Sequence, residues 1–150
     1  MAAPTAPILG ANGKLYRNTG TYGTPVWNEI PNCRSITGNH TMSDVVVSGR
    51  ANGAAVAHEP GLLDFDFTLE MLYDPSDADM TTLITAFFAR TAIEFALLDQ
   101  ASGTAGSFGT RATCKLFNYK RPEEIDGIMS ASFDVKNCYS AYAPAAFTTT

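Results

Sequence analysis

Two histidines, three cysteines and fifteen acidic side chains are the groups in this 150-residue chain that could hold a metal, move a proton or attack a substrate. His58-Glu59 lacks the second histidine that a zinc-binding helix carries four residues on, and it stands in a Pro/Gly-rich stretch. With only His40 beside it, no histidine-rich metal site can be built, and no metal or other cofactor is expected. Asn39-His40-Thr41 fits the glycosylation sequon, but Met1 to Gly13 has neither a basic n-region nor an apolar h-region, so a secretory route is not expected. Asp74, Asp77 and Asp79 miss the spacing and glycine of a calcium loop and read as acids at a helix start. Cys33, Cys114 and Cys138 are odd in number, form no CxxC pair and read as free, partly buried thiols. Phosphate-binding loops, dinucleotide fingerprints and nucleophile elbows are missing.

Asp64, Asp66 and Glu70 recur at even spacing. On a strand, neighbours at this spacing stand ~7 Å apart on one face, a distance that could suit an acid and base pair. Such a pair needs a cleft with apolar walls. The same-face neighbours are instead Thr68 and, on a later strand, Ser130, Ser132 and Asp134. Small polar and acidic groups in rows make a wet wall rather than an active site, and the chain is not expected to be an enzyme. An acidic wall repels polyanions, and Lys136 is the only basic residue on the two strands concerned.

The element behind this row is Leu62 to Tyr73. Leu63, Phe65, Phe67, Leu69, Met71 and Tyr73 alternate with Leu62, Asp64, Asp66, Thr68, Glu70 and Leu72. The pattern predicts a long strand with one dry and one wet face, roughly 40 Å from end to end at ~3.3 Å per residue. Asp74-Pro75 ends it. Ser76 then reads as an N-cap, and Met80, Leu83, Ile84, Phe87 and Phe88 fall at helical spacing as the core face of an amphipathic helix over about 77–90. Shorter strands are predicted at Val26 to Ile30, Asp44 to Arg50, Thr91 to Leu98, Arg111 to Tyr119 and Ile128 to Asn137, with Met129, Ala131, Phe133 and Val135 facing inward on the last. Arg121 to Gly127 reads as a turn, and Asp99 to Gly109 as a flexible loop.

Other stretches have little to bury. Gly49 to Gly61 is a long glycine- and alanine-rich loop, a length that is usually functional in a compact domain. Residues 1–25 and 141–150 read as extended arms without elements of their own, although Ile8, Leu9, Leu15 and Tyr16 could dock elsewhere. A net charge of −5, 45% apolar residues and 17% charged residues fit one globular domain over 1–150 and exclude a strongly basic nucleic-acid binder. No apolar run approaches the ~18 residues of a membrane span, so membrane insertion is not expected.

The order of a bare arm, a short Trp strand, a long loop, a long alternating strand, one helix and further strands resembles the major tail tube proteins of long-tailed bacteriophages. The resemblance rests on Val26 to Ile30, Asp44 to Arg50, Gly61 to Asp99 (GLLDFDFTLEMLYDPSDADMTTLITAFFARTAIEFALLD) and Pro122 to Lys136, which ends in GIMSASFDVK. It implies a mainly β, sandwich- or barrel-like subunit with one flanking helix. Six such subunits would form a ring, and stacked rings a tube through which DNA passes without specific binding. By the same resemblance Asp64, Asp66, Thr68, Glu70, Ser130, Ser132 and Asp134 would face the channel. The loop 49–61, with Arg50, Asn52, His58 and Glu59, would reach the next ring together with the arms. Tape measure, tail terminator and tail-tip proteins would be the partners, with assembly in the host cytoplasm and a final place in the virion tail. Lys136 departs from an even acidic wall. Three other readings compete: the inner tube of a contractile tail, type VI secretion or related injection machine; a ligand-binding β-barrel with an apolar interior; and an enzyme using Asp64 and Asp66.

Overall fold

A computed structural model describes residues 10–123 and 125–150, and only the backbone of Asn52. Ile8 and Leu9, named above, and Glu124 of the expected turn 121–127 lie outside the described residues. Within them the chain runs as β1 (Lys14–Asn18), β2 (Trp27–Glu29), β3 (Cys33–Val46), β4 (His58–Leu72), α1 (Ala78–Ala89), β5 (Ile93–Leu98), β6 (Phe108–Lys120), β7 (Ser130–Asn137) and β8 (Ala145–Thr148), with 3-10 turns at Gly10–Asn12 and Arg50–Asn52. The strands form one antiparallel sheet in the order β2-β1-β5-β6-β7-β4-β3, and β8 adds to β6 at Phe108 to Arg111.

Alternation in β4 does what period two requires. Phe65, Phe67, Leu69 and Met71 are buried, while Asp64, Thr68 and Leu72 are exposed. Ala131, Phe133 and Val135 of β7, Phe95 of β5, Leu15 of β1 and Met80 and Leu83 of α1 complete one core. Burying each such large side chain contributes about 1.5–3 kcal/mol. The sheet curls around this core: His40 of edge strand β3 meets Thr110 of β6 at 2.9 Å, although two strands, β7 and β4, separate them in the sheet order. Arg17 points inward from β1 and pairs with Asp79 at 2.6 Å, fixing the start of α1 to the sheet. A smaller cluster covers the opposite face of β1 and β5, where Trp27 and Phe147 pack over Tyr16, Ala96 and Leu98.

Several boundaries differ from the sequence expectations. Residues 33–43 are strand, although their only partly buried side chains are Cys33 and Ile36. Pairing with β4 holds them extended, so no apolar periodicity marks them. The expected loop at 49–61 is shorter because His58 to Gly61 already belong to β4. The terminal segments are not bare arms. β1 lies inside the sheet with Leu15 and Tyr16 buried on opposite faces, and β8 is a paired strand. Burial on both faces erases the alternation that would have revealed β1.

The helix spans Ala78–Ala89, and its cap is Asp77, which accepts from the Asp79 N–H at 3.0 Å. Ser76 is instead held by Asp74, whose Oδ1 accepts from the Ser76 hydroxyl at 2.6 Å and from its N–H at 3.0 Å. Met80 and Leu83 are buried and Ile84 and Phe87 partly so. Phe88 is the correction to the expected core face. It is 71% exposed, and Ala86, one residue off the expected stripe, is buried in its stead.

Candidate functional site

Cross-strand register assembles the polar wall residue by residue. Directly opposed residues share a face in an antiparallel sheet. Glu70 is opposite Ser35 on β3 and Ser132 on β7; Thr68 is opposite Thr37 and Asp134; Asp66 is opposite Asn39 and Lys136. β6 continues the rows, since Lys120 faces Ser132, Asn118 faces Asp134 and Lys115 faces Lys136. Asp134 ties the middle row together, accepting from the Thr68 hydroxyl at 3.3 Å and from the Asn118 amide at 3.0 Å. Asp66, Thr68, Glu70, Ser132 and Asp134 are thus brought onto one face; Asp64 lies on β4 just beyond the reach of β7, opposite Thr41 of β3, and Ser130 opens β7 opposite Leu72.

The wall is not the acidic surface that β4 and β7 alone predict. Glu70 is met by Arg34 at 3.8 Å, and β6 contributes Lys115 and Lys120 beside Lys136. Asp64, Asp66, Glu70 and Asp134 are therefore balanced by Arg34, Lys115, Lys120 and Lys136. The flanking strands supply this charge, and sequence reasoning confined to two strands missed it. A β-bulge between Leu116 and Asn118 shifts the β6 register, and Phe117 stands 58% exposed with its ring 5.8 Å from Lys136 Nζ.

The second feature is a projecting hairpin. β7 pairs with β4 only from Asp66 to Leu72, so among the described residues 41–46 and 58–64 pair with each other and with no further strand. Met42, Val46, Val56 and Leu62 are more than half exposed there, and Val45 and Val47 nearly so. His58 Nδ1 lies 2.8 Å from Asp44 Oδ1 across the two strands, and the Ser43 hydroxyl accepts from the Leu62 N–H at 2.7 Å. Glu59 and Arg50 are exposed, and Arg50 opens the 3-10 turn in the connecting loop.

Two open cavities lie elsewhere. One, about 410 Å³, sits where β3 approaches β1 and β5, lined by Leu15, Ile30, Cys33 and Leu97 among others. The other, about 560 Å³, is lined by Asn18, Tyr22, Glu94 and Tyr142. Asp64 and Asp66 line neither. Beside the second cavity, the largely buried Arg111 pairs with Glu94 and lies 3.7 Å from the ring of Tyr22, which stacks on Tyr142 at 3.6 Å. This stack joins the segments near the two termini. Among the described residues no group of three or more His, Cys, Asp or Glu is placed to hold a metal ion, and no helix is long and apolar enough to cross a membrane.

By sequence the chain matches no protein-family model and no curated protein. By structure it is similar to tubes and tails. The SPP1 tail tube, solved by solid-state NMR and cryo-EM, superposes with a TM-score of 0.74 at 11% identity, over 95% of this chain and 80% of that one. A protein in the tail of an empty gene transfer agent particle, refined with six-fold symmetry, gives 0.61 at 14% identity over 95% and 98% of the two chains. A protein in the tube-terminating cap of the anti-feeding prophage gives 0.67 at 14% identity over 99% and 96%. These likenesses establish a tail-tube fold, mainly β with one helix.

Proposed function

We propose that this chain is a structural subunit of a phage tail tube, a virion protein that assembles with copies of itself into stacked six-membered rings and leaves a channel for DNA. The observation that carries this reading is the projecting hairpin. Two-stranded hairpins are marginal in water on their own, yet this one is long, unsupported by a third strand and lined with exposed Met42, Val46, Val56 and Leu62. Neighbouring copies, within a ring and in the next ring, supply the missing cover. The loop around Arg50, Asn52, His58 and Glu59 is then the contact between rings. The polar wall fits the channel side, with Asp64, Asp66, Thr68, Glu70, Ser130, Ser132 and Asp134 in the lining. Its balanced charge gives DNA neither a strong attraction nor a strong barrier.

The SPP1 likeness favours the tube of a long, non-contractile tail. The likeness to a protein of the sheath–tube complex of an extracellular contractile injection system supports a second reading, the inner tube of a contractile machine. Both are structural roles without catalysis. The partners are further copies of the chain, tail terminator and tip proteins, and a tape measure inside the tube. Assembly takes place in the host cytoplasm and the product is part of the virion tail.

The test is to replace residues 47–57 by a two-residue turn and image the purified protein by negative-stain electron microscopy. The expected result is a subunit with an unchanged circular dichroism spectrum that no longer forms tubes. Tubes of normal length from this variant would contradict the assigned role of the hairpin.

A further inference from the structure

Three features that the fold does not require meet at one place on the wall. Lys115 and Lys136 are directly opposed across β6 and β7. Like charges in that position destabilise a sheet, and their Cβ atoms stand about 5 Å apart. Among the described residues neither ammonium has an ion-pair partner within 4.0 Å, although Asp66 is the residue opposite Lys136 on β4. Beside them the bulge turns Phe117 outward, more than half exposed among the polar residues in the middle of the wall. Bulges re-aim side chains where a surface has a task. Two opposed ammonium groups without an ion-pair partner, that of Lys136 lying 5.8 Å from the exposed Phe117 ring, match a ligand with closely spaced anionic oxygens next to an apolar body.

We propose that Lys115, Lys136 and Phe117 form a contact for the DNA sugar–phosphate backbone, repeated once per subunit along the channel wall; this rests on the tube reading above. The ammonium groups meet phosphate oxygens as point charges on flexible stems, and the Phe117 ring lies against deoxyribose. Such contacts carry no sequence information. Asp66 and Asp134, on the same face, keep each contact weak. DNA is thereby centred and stepped from ring to ring rather than held.

The test uses a fluorescently labelled DNA duplex of about 12 base pairs and the dilute subunit, with anisotropy read over a range of salt. Neutralising two phosphates gives a slope of log K against log salt of about −2. Lys115→Gln/Lys136→Gln is expected to bring that slope to near zero, Phe117→Ala to weaken binding without changing it, and Asp66→Asn to tighten binding. A double variant that keeps the parental affinity and slope overturns the proposal. So does displacement of the duplex by inorganic phosphate at equal phosphate concentration, which would mark a site for the free anion. Electron microscopy of the concentrated protein reads the tube assembly separately. Loss of the salt slope in the double variant, with no tubes from the parent even when preformed tail tips are added, supports the lysine contact and contradicts the tube reading.

Discussion

Gly109 lies opposite Leu98 at the start of β6. An added Cβ would stand 1.6 Å from the Leu97 carbonyl oxygen, a backbone atom that cannot step aside. Gly109→Ala is expected to lower stability in urea by about 2 kcal/mol or more, at the upper end of overpacking costs; an unchanged midpoint would contradict the packing described. Phe133 is fully buried beside Tyr119, and Phe133→Ala is expected to cost about 3–5 kcal/mol by the same assay. The thiols give a pH signature. Burial pushes Cys33 up to about 11 and, with the neighbouring Cys138 adding to it, Cys114 up to about 12, against about 9 for a free thiol. The fold prefers the neutral thiols, so their contribution is complete below pH 9 and is lost as pH rises from there through 11 and 12. The urea midpoint is expected to fall between pH 8 and pH 10.5, and to fall less in Cys33→Ala/Cys114→Ala. Equal drops in the two proteins would contradict the assignment. The large core residues were legible in the sequence because alternation marks them. Gly109 and the buried Arg111–Glu94 pair were not, because each depends on which strand lies opposite.

At the scale of elements, the contrast between Ser76 and Asp77 is informative. Sequence spacing selects Ser76 as the helix cap, but Asp74 captures that hydroxyl and Asp77 takes the cap, also accepting from the Asn32 side chain at 2.7 Å. Asp77→Ala is therefore expected to cost about 1 kcal/mol of stability and Ser76→Ala much less. The reverse ranking would restore the sequence assignment. β4 and α1 were readable because each has one face in the core and one in water. β3 was not readable, since its polar residues are held extended by β4 rather than by burial, β1 was hidden by burial on both faces, and β8 by its brevity. Phe88 shows the limit of a helical stripe. The spacing places it with Met80 and Leu83, but the groove between α1 and the sheet is filled by Ala86 and Phe87. The wall shows the same limit for sheets. Alternation in β4 and β7 identified its acids, while Lys115, Lys120 and Arg34 belong to it only through the register of β6 and β3.

On the scale of the whole molecule, the described residues divide into a body with one core and a hairpin that outruns it. The body explains its own stability. The hairpin does not, and in the proposed tube its exposed valines, Met42 and Leu62 would be covered by other copies of the chain. A closed ring would also remove the exposed edges of the sheet, β2 and the outer side of β3, which are otherwise open to uncontrolled pairing. The measurement that bears most directly on self-assembly is electron microscopy of the purified protein at rising concentration, beside light scattering. The account predicts rings and then hollow tubes with a central channel, appearing as scattering rises. A compact monomer at every concentration, unchanged when preformed tail tips are added to start assembly, would contradict it.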